Sequence, residues 1–257
     1  MAGDDIGDRM KHQYEDRTRY FLPRRTYTIV RVDGKAFHGY TRHCERPFDY
    51  ALMADMDAVA VRLCEQMQGS EFAYVQSDEI SVLLTDFAKI TTDAWFDGNI
   101  QKMVSIAGSM ATAALNARRA DAQHPAMFDA RAFTIPDPVE VENYFIWRQQ
   151  DATRNSIQMA AHARFSHREM HGQNTSALQE MLFGCGVNWN DYPDGAKRGR
   201  CVIAGEERGW KIEAPPMFTQ DRKYLRERIP LIGAEPSTVG QAPSDAADRS
   251  PQDASGT

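Results

Sequence analysis

Residues 71–84 of the chain read Glu-Phe-Ala-Tyr-Val-Gln-Ser-Asp-Glu-Ile-Ser-Val-Leu-Leu. The stretch holds two runs rich in apolar, aromatic and β-branched residues, Glu71 to Ser77 and Ile80 to Leu84, which are typical of strands. Only Asp78 and Glu79 separate the two runs, and so short a connection suits an antiparallel hairpin. The sequence therefore predicts two adjacent strands with Asp78 at their turn.

A strand and a helix precede this hairpin, and a helix and a strand follow it. Thr26 to Val32 is dense in β-branched and aromatic residues and stops at the turn dipeptide Asp33-Gly34. From Tyr50 to Met67, apolar residues recur every three or four positions, as on one face of a helix. Asn99 to Arg119 is rich in Ala, Met, Ile and Leu and predicts a second helix, and Arg131 to Ile135 predicts a fourth strand.

The order strand, helix, strand, strand, helix, strand is that of a ferredoxin-like unit. We therefore predict an α+β fold, with an antiparallel sheet that carries helices on one face and with a largely helical C-terminal region added to it. In such a unit the end of the first strand lies beside the hairpin between the second and third. Asp33 and Asp78 should thus be neighbours, although 45 positions separate them.

The C-terminal half is predicted to contain two further helices and a strand. One helix is expected over Val141 to about Arg164. The other is expected over Ser176 to Phe183, with a capping box between Ser176 and Gln179 and a stop at Gly184. A last strand is expected at Arg200 to Ala204.

The chain has 257 residues, of which 42% are apolar and 26% charged, so it is long enough to bury a sizeable core. We divide it into a catalytic domain (residues 1–136), an extension of helices and a strand that completes this domain (residues 137–232), and a tail (residues 233–257). The tail is rich in Pro, Ser, Ala, Asp and Gly and poor in large apolar residues. It is therefore predicted to be disordered.

Composition also predicts where the protein works. No apolar stretch approaches the roughly 20 residues that a membrane span needs, and the N-terminus lacks the pattern of a signal peptide, so no membrane association is expected. The four cysteines show no zinc-ligand spacing, which favours reduced thiols and a cytoplasmic location. The formal net charge of −6 does not favour nucleic-acid binding, so local basic clusters matter more than the sum. These clusters are Arg24-Arg25, Arg118-Arg119, Lys197-Arg198-Gly199-Arg200, and Arg222-Lys223 with Arg226 and Arg228.

The two acidic turns are candidates for a phosphoryl-transfer site. Nucleotidyl transfer requires two carboxylates that share two divalent ions, one to activate the attacking hydroxyl and one to hold the triphosphate. Asp33 and Asp78 fit this requirement if the turns meet. Gly34 fits it too, because it lacks a Cβ and its carbonyl oxygen is a hard ligand suited to Mg²⁺. The alternative is that Asp and Gly serve only turn geometry at both places.

Several motifs, in the same order along the chain, resemble the tRNA-His guanylyltransferases and their bacterial and archaeal relatives, a family of reverse-direction (3′ to 5′) polymerases. The resemblance covers about residues 5 to 230. It is carried by Gly7-Asp8-Arg9-Met10-Lys11, Arg31-Val32-Asp33-Gly34-Lys35-Ala36-Phe37-His38, Arg46-Pro47-Phe48-Asp49, Gln76-Ser77-Asp78-Glu79, Trp147-Arg148-Gln149-Gln150-Asp151-Ala152-Thr153-Arg154-Asn155-Ser156, Lys197-Arg198-Gly199 and Pro216-Met217-Phe218-Thr219-Gln220.

The resemblance implies a polymerase palm in which two Mg²⁺ ions are held by Asp33, the Gly34 carbonyl and Asp78. We predict Asp33, Asp78 and Glu79 as the catalytic residues. The nucleotide is expected to contact Asp33, Gly34, Lys35, Ala36, Phe37, His38, Ser77 and Asp78. In the family, ATP or GTP activates the 5′-monophosphate of a tRNA, and the 3′-hydroxyl of an incoming GTP attacks the activated end. We therefore expect ATP, GTP and tRNA as substrates, and a homotetramer because a tRNA is large compared with one palm.

A further set of residues is predicted to contact the tRNA or a second nucleotide: Arg31, Arg46, Arg148, Asp151, Arg154, Asn155 and Arg198. Four of them fall between positions 148 and 155, three or four apart, on one side of a helix. Guanidinium groups suit phosphate recognition, although such a row is also typical of a solvated charged face. Trp147 is expected in the core together with its aromatic neighbours.

One departure from the family bears on the substrate. Eukaryotic members carry a His-Ile-Asn-Asn stretch where this chain has Thr153-Arg154-Asn155-Ser156, so the His associated with strict tRNA-His use is missing. The chain resembles instead the bacterial-type members, which repair 5′-truncated tRNAs by templated addition. Repair is the favoured prediction, and strict addition of one guanosine to tRNA-His is the alternative. A palm-type nucleotide cyclase and a catalytically silent tRNA-binding protein are further alternatives.

Overall fold

The computed structural model describes residues 5–205 and 209–233. In these residues the chain forms a six-stranded sheet in the order β4-β1-β3-β2-β5-β6, and every neighbouring pair is antiparallel. The strands are β1 (Tyr27–Gly34), β2 (Ser70–Gln76), β3 (Glu79–Leu84), β4 (Phe128–Ile135), β5 (Arg200–Ala204) and β6 (Trp210–Glu213).

The α-helices of the described residues differ widely in length. They are α1 (Asp5–Met10), α2 (Phe37–Tyr40), α3 (Tyr50–Gln66), α4 (Ile100–Arg118), α5 (Pro138–His162), α6 (His167–Met170), α7 (Thr175–Gly184), α8 (Asp194–Arg198) and α9 (Lys223–Arg226). No helix in this part of the chain is both long and apolar enough to cross a membrane.

The first four strands, together with α3 and α4, form the predicted ferredoxin-like unit. Their order along the chain is β1-α3-β2-β3-α4-β4, and their order in the sheet is β4-β1-β3-β2. Both helices pack on the same face, where Val30 and Val32 of β1 join Met56 and Leu63 of α3 in one buried cluster. The prediction of an α+β palm is therefore confirmed.

The opposite face of the sheet is covered by α5. Successive side chains of a strand point to opposite faces, so Tyr27 and Ile29 lie away from α3 and α4. They join Phe145 of α5 and Phe218 in a second buried cluster. Because Arg31 and Asp33 follow Ile29 at intervals of two, both face α5 as well. The C-terminal half of α5 builds a third cluster with α6 and α7.

Helix ends show two departures from the sequence predictions. Asn174 caps α7, because its side-chain oxygen accepts the Ala177 N–H at 2.9 Å, so the predicted box between Ser176 and Gln179 is wrong. A capping box does occur at the preceding helix, between Ser166 and Glu169 at the start of α6. An N-cap Asn and an N-cap Ser are both favoured, and the sequence alone did not separate them.

Three more outcomes concern the core and the ends of the chain. Strand β6 was not predicted, because four residues are too few for a clear alternation. Trp147 is 50% exposed, so its predicted place in the core is wrong, whereas Tyr144 and Phe145 are buried. The predicted disordered tail lies outside the described residues, except for Gly233.

Candidate active site

The two acidic turns meet at one edge of the sheet. The backbone N–H of Gly34 donates to the carbonyl oxygen of Asp78 at 3.1 Å. Asp33 is paired with Glu79 across β1 and β3. The β2–β3 connection consists of two residues, and Ser77 occupies the left-handed region with φ 47°. The topology thus brings Asp33 and Asp78 together, as the order of elements predicted.

Gly34 leaves space that the Asp78 carboxylate uses. A Cβ at Gly34 would lie 2.7 Å from Asp78 Oδ2 and 2.7 Å from Phe37 Cγ, which is closer than real Cβ contacts. Burial, together with the negative charge of nearby Asp33, raises the pKa of Asp78 to about 6. A cation between the two carboxylates would offset both effects. The cradle at Gly34 and this pair of carboxylates therefore fit a divalent ion.

A metal here would rely on two carboxylates and a carbonyl. Within residues 5–205 and 209–233, no three His, Cys, Asp or Glu side chains converge into a ready metal centre. The proposed ligands Asp33, Asp78 and the Gly34 carbonyl include only two such side chains, so a site built from them does not conflict with this absence. Such oxygen donors are the ligands that Mg²⁺ prefers, with water or phosphate completing the shell.

The loop after β1 exposes some of its predicted nucleotide contacts and buries others. Lys35 is exposed, and its backbone N–H donates to Met127 O at 2.8 Å. Ala36 takes a left-handed conformation with φ 54°, which places the next side chain inward. Phe37 is buried against Phe128, with ring centroids 5.3 Å apart, and His38 is exposed.

Glu79 is held by a buried ion pair with α5. Arg148 donates from Nε to Glu79 Oε1 at 2.8 Å and from Nη2 to Oε2 at 2.7 Å. The exposed fractions of the two residues are 8% for Glu79 and 5% for Arg148. Such a two-point pair fixes orientation as well as charge. Both carboxylate oxygens of Glu79 are therefore occupied, which favours a positioning role over direct metal binding.

Asp151 extends this ion pair into a hydrogen-bond network in the middle of α5. This carboxylate accepts Arg148 Nη2 at 3.0 Å and Asn155 Nδ2 at 3.3 Å, and it also pairs with Arg154. The predicted row on α5 thus forms one connected network. Its members point at one another, and only Arg154 of the four is exposed.

A second row of charges crosses the sheet beside the acidic one. Asp129 is paired with Asp33 across β1 and β4, and Arg131 is paired with Arg31. Arg131 Nη2 lies 3.8 Å from Asp33 Oδ2 and 3.4 Å from Asp129 Oδ1. The sequence prediction missed Asp129 because it began the fourth strand at Arg131. Pairing of the fourth strand with the first, residue by residue, would have placed Asp129 beside Asp33.

Two cavities border the acidic turns. The larger, about 470 Å³, is lined by residues between Phe37 and Met53, by α5, and by residues between Gly195 and Arg200. The smaller, about 350 Å³, is lined by Asp33, Glu79 and the polar row of α5. They share Gln76, Ser77, Asp78, Asn155, Met159 and His162. Both volumes lie in the range of small-ligand sites.

The remaining predicted RNA contacts are not brought together. Arg46 is exposed and lines the larger cavity. Arg198 is turned toward Asp194 at 2.5 Å, and its carbonyl accepts the Tyr74 hydroxyl at 2.5 Å. The Arg31 side chain is only 13% exposed and lies 3.9 Å from Glu79.

Most side chains of the predicted basic clusters form ion pairs with carboxylates of the same chain. Arg24 binds Asp86, Arg118 and Arg119 bind Asp55, Lys197 binds Asp194, Arg200 binds Asp57, Arg222 and Arg226 bind Glu142, and Arg228 binds Glu213. Their partners lie far away in the sequence in most cases, so composition alone did not reveal the pairing.

Motifs that are distant in sequence meet around α5. The Gln149 side chain donates to Pro216 O at 2.8 Å and accepts the Phe218 N–H at 2.7 Å. Ser156 Oγ donates to Lys197 O at 3.0 Å and accepts from Trp189 Nε1 at 3.2 Å. The motifs that carry the sequence resemblance therefore stabilise one another.

Comparison with known proteins gives concordant results. The family model described as tRNAHis guanylyltransferase (Thg1) matches residues 7–136. A bacterial tRNA(His) guanylyltransferase-like protein in complex with ATP is 42% identical, with a TM-score of 0.83 over 88% of this chain and 99% of that one. A structure of such a bacterial protein with GTP is 41% identical, with a TM-score of 0.78 over 89% and 100%. The tRNA(His) guanylyltransferase of Debaryomyces hansenii is 28% identical over 73% of this chain and 77% of its own length.

Proposed function

Because the chain belongs to the tRNA-His guanylyltransferase family, whose members are nucleotidyltransferases of tRNA, we propose that it extends the 5′ ends of truncated tRNAs in the 3′-to-5′ direction. The addition is directed by the opposite strand as template, with GTP as the favoured nucleotide. ATP or GTP first activates the 5′-monophosphate of the tRNA. The meeting of the two acidic turns at Gly34 is the observation that supports this chemistry most directly.

Asp33, Asp78 and the Gly34 carbonyl are the proposed ligands of two Mg²⁺ ions. When bound, Mg²⁺ supplies activation of the attacking hydroxyl and neutralises charge on the triphosphate. The side chains of Lys35, His38 and Ser77 are exposed beside this edge and are the proposed triphosphate contacts. The buried pair of Glu79 and Arg148 holds the β3 side of the site in place.

The two cavities suit a reaction that joins two substrates. The larger one is lined in part by Phe48, Leu52 and Met53 and offers an apolar wall for a nucleobase. The smaller one is polar and leads from Asp33 and Glu79 along α5, and it would suit the 5′ end of an RNA once Mg²⁺ offsets the charge of its carboxylates. Since both border Asp78, substrates in the two cavities would meet at the proposed metal site. A cyclase needs only one substrate, so this arrangement favours nucleotide transfer to RNA.

Thr153 supports repair over strict use of tRNA-His. Its hydroxyl donates to the carbonyl of Gln149 at 2.9 Å, one turn back on α5. The position therefore presents a small side chain that is bound to its own helix, where the strict members carry a His ring. We infer a substrate range set by the truncated 5′ end. We also propose a homotetramer in the cytoplasm, as the family resemblance and the cysteine content suggest.

The decisive experiment is extension of tRNAs that lack their first nucleotide, with labelled GTP and Mg²⁺. Wild type should extend several such tRNAs, and Asp33→Ala and Asp78→Ala should lose activity. Asp121→Ala, at an exposed position, is the matched control. Extension by wild type no better than by the two site variants would refute the function. Activity confined to full-length tRNA-His would instead establish the strict alternative.

A further inference from the structure

The predicted RNA contacts of this chain are mostly engaged internally, which leaves open where the tRNA backbone binds. Arg31, Arg148 and Arg198 all face carboxylates. In the part of the chain that the structure describes, a few exposed arginines form neither an ion pair nor a side-chain hydrogen bond. Arg164 and Arg168 are two of them, and both lie on the segment that follows α5.

This segment adjoins the proposed active site. Asn155, Met159 and His162 fall on successive turns of α5 and line both cavities. His162 is the last residue of the helix, and its ring centroid lies 6.2 Å from that of His167. Arg164 and Arg168 lie within two residues of these histidines. The two arginines therefore follow closely, along the chain, the face of α5 that lines the cavities.

The segment is held in a fixed conformation. Met170 is buried in the cluster that α5 forms with α7, and Phe165 packs against the same cluster. Ser166 and Glu169 close a capping box, in which the carboxylate of Glu169 accepts both Ser166 N and Ser166 Oγ at 2.7 Å. Glu169 is the single acidic residue between His162 and Asn174, and its bonds to Ser166 lower its pKa. It offsets one of the two guanidinium charges and leaves the segment positive.

We propose that the surface formed by His162, Arg164, His167 and Arg168, here called the α5-end surface, binds phosphates of the tRNA next to its reacting 5′ end. The proposal rests on the proposed function. Guanidinium groups without carboxylate partners suit phosphate, and the two imidazoles add hydrogen-bond donors. Arg46, which lines the larger cavity, is likewise exposed and forms no ion pair within the described residues, so the cavity itself offers a further cation to an RNA end.

The test separates binding of RNA from binding of nucleotide. The variant Arg164→Ala/Arg168→Ala should raise the KM for truncated tRNA roughly tenfold and lower the slope of log Kd against log salt by about 1 to 2, as expected for one or two lost phosphate contacts. The KM for GTP and the melting temperature should stay at their wild-type values. The variant Arg164→Lys/Arg168→Lys should retain most of the affinity, because charge dominates such contacts.

The control variant is Arg62→Ala/Lys102→Ala, which removes two exposed positive charges elsewhere. It should leave the KM for tRNA unchanged. The proposal is overturned if the arginine variant binds tRNA with wild-type affinity and salt dependence, or if the control weakens binding equally. Direct binding of tRNA is measured in parallel with extension. If the wild type shows no extension, the proposed function is wrong. If the wild type extends tRNA but the arginine variant binds it normally, only the proposal for the α5-end surface is wrong.

Discussion

Gly34 has no side chain, and the space that a Cβ would fill is occupied by the Asp78 carboxylate and the Phe37 ring. We expect Gly34→Ala to lower kcat/KM for 5′ extension about 100-fold, because the added Cβ would displace the Asp78 carboxylate or the Phe37 ring. Gly39→Ala is the matched control, since nothing lies within 4 Å of its Cβ position. Steady-state rates with truncated tRNA measure both variants. Equal activity of the two would show that the space at Gly34 is not needed.

Arg148 compensates the charge of Glu79 inside the protein. Replacing it by Gln should destabilise the fold by about 3 kcal/mol, because the buried carboxylate of Glu79 loses both short hydrogen bonds and keeps only one cationic neighbour, Arg31, 3.9 Å away. Adding Glu79→Gln should recover at least half of that loss, since two neutral amides then face each other. Arg154→Gln, at the exposed end of the same network, should cost less than about 1 kcal/mol. Urea unfolding of the wild type and of these three variants measures the differences. A double variant no more stable than Arg148→Gln alone would contradict this coupling.

The individual strands and helices were largely predictable from local patterns. The β-branched and aromatic content of β1 and the three-to-four spacing in α3 depend on neighbours within a few residues, and the structure confirms both elements. The pairing of charges was not predictable in this way. Arg148 and Glu79 are 69 positions apart, and Arg24 and Asp86 are 62 apart, so a row of arginines looks the same in sequence whether it faces solvent or a carboxylate. Asp129 was missed for the same reason, because only register places it beside Asp33.

Strand β2 carries a carboxylate whose burial makes stability depend on pH. Burial raises the pKa of Glu71, although its hydrogen bond from Thr85, at 2.6 Å, acts in the opposite direction. The folded state therefore binds the proton more tightly than the unfolded state, and stability falls as the pH rises through the pKa of the folded protein. Glu71→Gln keeps an acceptor for Thr85 and removes the charge.

We expect Glu71→Gln to raise the melting temperature at pH 7.5 by roughly 2–4 °C and to have little effect near pH 4, where the carboxyl is already protonated. Glu180→Gln, at an exposed position on α7, is the control and should change neither value. Thermal unfolding across this pH range provides the measurement. A gain that is the same at both pH values would rule out the charge as its cause.

At the scale of the whole molecule, α5 connects the fold to the site. Phe145 fills the core against the sheet, Arg148 donates to both Glu79 and Asp151, and Asn155 and Met159 line both cavities. Its last residue begins the α5-end surface. One helix therefore contributes to packing, to the position of a predicted catalytic residue and to the proposed RNA path. A change in how α5 docks on the sheet would alter all three.

This arrangement predicts that residues 1–136 do not form a stable domain without the extension. Removing α5 would expose Ile29, Phe72, Tyr74 and Leu83, which are fully buried in the intact chain. A face of large apolar side chains open to water favours aggregation or a loosely packed state. We expect the fragment to lack a cooperative thermal transition and to bind a hydrophobic dye. A chain that ends at Gly233 keeps α5 and α9 and should melt like the full-length protein. A cooperative transition of the fragment near the full-length melting temperature would mean that the ferredoxin-like unit is stable by itself.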